Sequence, residues 1–151
     1  MKGSKVGAIV AIWGIGLGLA ACDDPAGPAA DTGPSLLVEE RDGLVFMRQN
    51  VEPAVTMEAL FQGRVTVDAE GCPRLETPEA PAVVWPRDYD VAVESGEFTI
   101  LDGEGDAVGT LGGEFSLGGG EVTLLSDAMG FTTDDRARAD ERCPGKYWIT
   151  A

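Results

Sequence analysis

The sequence predicts an all-β (mainly) domain, a small antiparallel barrel or sandwich, over residues 36–151. Three observations carry that expectation. Apolar residues recur with period two over several short stretches, the spacing of half-buried strands. Twenty-one glycines and nine prolines in 151 residues supply frequent turns. Helical patterning is thin.

The first strands are "LLVEE" and "LVFM", joined by Arg41-Asp42-Gly43, a hairpin turn in which aspartate and glycine tolerate positive φ. In "LFQGRVTVD", Phe61, Gly63, Val65 and Val67 fall on one face, with Gln62, Arg64, Thr66 and Asp68 on the other. "PAVVWP" is an unbroken apolar run between prolines. "DYDVAV" alternates again through Tyr89, Val91 and Val93. "GEFTIL", "GEFSL", "EVTLL" and "KYWITA" follow as further candidates, and about seven or eight short strands are expected from these stretches. The stretches "GEFTILDGEG" and "GEFSLGGGEV" echo one another, and each reads as strand, glycine-rich turn, strand. An OB-like barrel is one architecture that such strands satisfy. Thr132–Glu141, "TTDDRARADE", has Asp134 and Arg138 at helical pairing distance but no apolar stripe. One or two exposed helical turns or a solvated loop satisfy it equally.

Ahead of this domain, Lys2 and Lys5 precede sixteen uncharged residues, Val6–Ala21. That run is short for a spanning helix, which needs roughly 20 apolar residues. A positive start, a short apolar core and small residues at its end describe a signal peptide. Leu19-Ala20-Ala21-Cys22 resembles the lipobox of bacterial lipoproteins. The resemblance implies cleavage after residue 21, diacylglycerol on the Cys22 sulfur, and a domain held at the cell envelope outside the cytoplasm. It leaves inner and outer membrane open. Residues 22–35 then read as a lipidated cysteine and flexible linker, rich in proline, glycine and small residues.

Removing residues 1–21 leaves nine basic against 26 acidic residues, a net charge of −17. Such a surface repels phosphate, so nucleic acid is not an expected partner. The expected partners are the membrane, through the lipid on Cys22, and another envelope protein or a glycan. The chain has no histidine, which removes the commonest general base and every Ser-His or Cys-His pairing. With Cys22 committed to lipid, Cys72 and Cys143 form an even pair in a compartment that permits disulfides. Without histidine or C-x-x-C spacing, a metal-binding pair is disfavoured.

Candidate chemistry is sparse, and no cofactor is expected. Asp102, Glu104 and Asp106 in "DGEGDAVG" alternate like the start of a calcium loop. Ala107 stands where the turn glycine belongs, so an acidic hairpin turn accounts for the stretch as well. Trp85, Tyr89, Phe98, Phe115, Tyr147 and Trp148 suit a core better than an exposed groove. The segments "GRVTVDAEGCPRL", "AVVWP", "LDGEGDAVGTLGGEFSLGGGE" and "RCPGKYW" resemble small bacterial β-domains that carry no assigned activity. The favoured function is a lipid-anchored binding or structural domain with no catalytic residues. The alternatives are a small carboxylate-dependent hydrolase or a calcium-dependent binding module.

Overall fold

The computed structural model describes residues 34–52 and 56–151. The lipobox and Cys22 lie outside them. Among the described residues no helix is long and apolar enough to cross a membrane.

Among the described residues, ten strands, one α-helix and a short 3-10 helix (Asp127–Met129) form the domain. β1 (Leu36–Arg41) and β2 (Leu44–Gln49) make the first hairpin, closed by Asp42 and Gly43 at φ 50° and 83°. Two residues of positive φ match the right-handed twist of the strands they join. β3 (Ala59–Val67), β4 (Pro73–Leu75), β5 (Ala82–Trp85), β9 (Glu114–Val122) and β10 (Tyr147–Thr150) close into a barrel in the order β3-β4-β5-β10-β9 and back to β3. Counted along the chain, the ring runs first, second, third, fifth, fourth. Its one parallel contact joins β5 to β10. This is an OB-like connectivity. β2 also pairs parallel with β5, so the sheet is not purely antiparallel. Between β5 and β9, β6 (Asp90–Glu94), β7 (Glu97–Leu101) and β8 (Ala107–Thr110) form a separate three-stranded antiparallel sheet.

The "AVVW" run reads as continuously apolar because β5 is buried on both faces. Val83 and Trp85 face the barrel interior with Leu44, Phe46, Val65, Phe115, Leu117 and Trp148, joined by Val91 and Ile100 of the second sheet. Ala82 and Val84 belong to an outer core with Val45, Met47, Phe131, Ala139, Tyr147 and Ile149. Trp85, Phe115, Tyr147 and Trp148 are core residues, while Tyr89 and Phe98 are half-buried beside them. Val67, placed on the inward face by its spacing, is 37% exposed at the end of β3.

Two expectations are corrected. Gly118-Gly119-Gly120 is not a turn between strands; β9 runs straight through it. Here β9 pairs with both β3 and β10, and Gly119 faces Ala59 on one side and Thr150 on the other. At Gly119, φ is +143°, and a Cβ would collide with the Ile149 carbonyl oxygen and lie 2.8 Å from the Trp148 indole nitrogen. Glycine serves close approach here, not chain reversal.

The second correction concerns "TTDDRARADE". It forms a ten-residue helix, α1 (Thr133–Arg142), whose Asp135 and Ala139 are buried. Thr132 caps it reciprocally with Asp135. The ion pair is Asp135 with Arg138, at 2.6 Å, not Asp134 with Arg138. A single alanine and a buried carboxylate replace the apolar stripe, so periodicity could not reveal the inward face.

Candidate functional site

Cys72 follows β3 and Cys143 caps α1; both are fully buried, with Cα atoms 5.8 Å apart and sulfurs at disulfide distance, 1.98 Å. Arg74 reinforces the same junction. Its Nε pairs with Asp68, while its terminal nitrogens donate to the Ala80 and Pro144 carbonyls, each at 3.0 Å. The Asp68 carboxylate also accepts the Glu70 and Cys72 N–H groups. Burial alone would raise its pKa, but Arg74 and these backbone donors outweigh it and hold the carboxyl below its ordinary range. This cluster knits three segments together and offers no free group.

Asp135 plays a similar part at the start of the domain. Its two oxygens accept the Ser35 and Leu36 N–H groups, the Thr132 N–H and hydroxyl, and an Arg138 nitrogen. Ser35, at the end of the expected linker, is already buried. Burial pushes the Asp135 pKa up, yet the Thr132, Leu36 and Arg138 donors overcome that and lower it. Glu39 is likewise lowered, chiefly by Arg48 and then Arg41. Tyr147 goes the other way: burial, and then its 2.6 Å hydrogen bond to Asp140, raise its pKa strongly.

Asp102, Glu104 and Asp106 do come together, with one carboxylate oxygen from each within 4.8 Å. The Asp102 oxygen Oδ1 is committed to the Glu104 and Asp106 N–H groups, both at 2.9 Å. The Asp102 N–H donates to the Asp106 carbonyl, closing the turn between β7 and β8. Glu104 and Asp106 are exposed. Turn closure accounts for Asp102 without a metal.

One concavity lies where the parallel strands β2, β5 and β10 end. It is a depression of about 400 Å³, bordered by Gln49, Pro86, Arg87, Asp88, Thr150 and Glu52 among others. Gln49 is 3% exposed, and its Nε2 donates to the Thr150 carbonyl at 2.8 Å. Its Oε1 is buried without a hydrogen-bond partner among the described residues. Arg48 crosses beneath, donating to the Arg87 carbonyl at 3.1 Å. Eight of the nine basic side chains of the described residues make ion pairs within 4.0 Å; Arg87 is the ninth. An exposed arginine with no ion-pair partner among the described residues is unexpected where acids are in such excess. Sequence reasoning missed both Gln49 and Arg87. Only the topology sets them at one rim, and neither sits in a motif.

No protein-family model, curated protein or solved structure matches the chain.

Proposed function

We propose that the chain is a lipid-anchored protein of the bacterial cell envelope whose β-domain works by binding or structural contact, not by catalysis. The observation that carries the anchor is Leu19-Ala20-Ala21-Cys22 at the end of an uncharged run. Two or three acyl chains at about 0.8 kcal/mol per buried methylene hold such a domain stably at a membrane. The buried Cys72–Cys143 pair supports an oxidising compartment outside the cytoplasm.

Electrostatics supports binding over catalysis. A carboxylate-dependent hydrolase needs a carboxyl of raised pKa to act as general acid. Glu39 is held down by Arg48 and Arg41, Asp68 by Arg74 and backbone donors, and Asp135 by Thr132, Leu36 and Arg138, so none of these three carboxyls suits the part of general acid. Nucleic acid is disfavoured by charge and by architecture. OB-like barrels bind oligonucleotides across their second and third strands and the flanking loops. Here those strands are β4 and β5; β5 is buried on both faces, and the Cys72–Cys143 pair ties the flanking loops.

Mass spectrometry of the mature N-terminus tests the anchor. A diacylated Cys22 is expected, with Cys22→Ala accumulating as uncleaved precursor; an intact Met1 or cleavage elsewhere refutes it. Crosslinking in envelope fractions tests the binding role. Recovery of one discrete partner supports it, and hydrolysis of an envelope glycan by the purified chain overturns it.

A further inference from the structure

We propose that the depression at the ends of β2, β5 and β10 binds a small zwitterion of the α-amino carboxylate class, an amino acid or a short peptide. Arg87 takes the carboxylate, and Gln49 Oε1 accepts an N–H. The inference rests on the binding role proposed above and names its ligand.

The orientation of the Gln49 amide is determined by its surroundings. Nε2 faces the Thr150 carbonyl, an obligate acceptor, so a flipped amide would set oxygen against oxygen. Oε1 is therefore the atom left over, and a buried acceptor requires a donor. A carboxylate alone cannot supply one; an ammonium or peptide N–H can.

Arg87 supplies the complementary demand. The other eight basic groups of the described residues are engaged with acids, and this one borders the depression without an ion-pair partner among those residues. A guanidinium presents a planar fork that matches a carboxylate in bidentate fashion. Asp88 and Glu52 stand on the same border. A simple anion would meet their repulsion, and a simple cation would leave Arg87 unmatched. A zwitterion satisfies both signs. A glycan fits less well, because among the described residues no aromatic ring borders the depression to stack on a sugar face. The volume, about 400 Å³, lies near the lower end for small-molecule sites and suits one or two residues.

The test is calorimetric titration of the full chain in detergent with alanyl-alanine, with alaninamide and propionate as probes carrying one charge each. Alanyl-alanine is expected to bind about tenfold more tightly than either. Arg87→Gln, at an exposed position, should bring alanyl-alanine down to the alaninamide level. Gln49→Met, close in volume but without the acceptor, should weaken alanyl-alanine and alaninamide by about fivefold and leave propionate unchanged. Should Gln49→Met fail to fold, the shift of the wild-type Gln49 side-chain amide resonance on titration replaces it. Equal binding of the three probes, or full affinity in Arg87→Gln, overturns the proposal. Glucose binding that both variants abolish would overturn the ligand class but keep the site. No binding of any probe at about 10 mM would remove the zwitterion site. A discrete partner recovered by crosslinking in that case would leave the binding role standing.

Discussion

Asp135 should be the most sensitive polar position in the domain, and its environment sets the size of the effect. One carboxylate accepts five hydrogen bonds while fully buried: Ser35 N–H, Thr132 N–H and the Thr132 hydroxyl on Oδ2, Leu36 N–H and Arg138 on Oδ1. Asp135→Ala strands several of these donors and dissolves the capping box. Hydrogen bonds to a charged acceptor contribute about 1.5–3 kcal/mol each but do not add when they share one carboxylate. A lost cap costs about 1 kcal/mol. A net loss of about 3–5 kcal/mol follows, the scale of breaking a buried charged network. Asp135→Asn should fare little better. Whichever way its amide turns, the NH2 group meets two or three donors where an acceptor stood.

Thermal unfolding by circular dichroism reads this directly. For a domain of this size a loss of that magnitude lowers Tm by on the order of 10–20 °C. The pH dependence supplies a second, independent reading. The Asp135 pKa is lowered on folding, so its stabilisation is fully present above the unfolded value, near pH 4, and fades as pH falls through the lower folded value. The gap between wild type and Asp135→Asn should therefore narrow as pH drops below about 4. A Tm change under about 3 °C at neutral pH, or a gap that stays constant into acid, would refute the reasoning.

Three further outcomes follow from the same geometry. Replacing Cys72 and Cys143 together by alanine should cost up to about 4 kcal/mol, read by urea titration against the oxidised chain, and two reactive thiols in the unreduced wild type would refute the pairing. Gly119→Ala should abolish soluble folded protein on expression, since its Cβ collides with the Ile149 carbonyl at positive φ; a wild-type melting curve would contradict that. Asp102→Ala should destabilise the β7–β8 turn by about 1 kcal/mol with calcium or chelator alike, and a wild-type Tm that falls on chelation would instead establish a metal site.

Much of the barrel was legible because strands announce themselves by alternation and hairpins by their turn residues. Asp42-Gly43 closes its hairpin as expected, and Trp85, Phe115, Tyr147 and Trp148 went to the core, with Tyr89 and Phe98 half-buried beside it. The two-sided burial of β5 was less visible, since an apolar run does not say what lies on each face. Only the parallel pairings of β2 and β10 with β5 explain it. The helix was obscured because Asp135 faces inward where an apolar residue is expected. The rim of the depression was invisible, since Gln49 and Arg87 are 38 positions apart and share no pattern.

Gly118–Gly120 shows why composition misleads most where packing is tightest. Glycine serves two unrelated needs, reversal of the chain and the near contact of two backbones, and a run of three looks the same for both. The neighbouring residues could have discriminated. A two-residue hairpin turn in this chain carries Asp-Gly or Ser-Gly, both residues at positive φ, as at 42–43 and 95–96. The triple glycine lacks such a partner. It is followed at once by Glu121 and Val122, which pair with Trp148 and Tyr147 in register. The strand thus passes from β3 to β10 through residues without side chains. That crossing leaves room for the Trp148 indole inside the barrel and for Met57 against Gly120. Ring closure depends on this passage, because β9 is the strand that pairs with both β3 and β10.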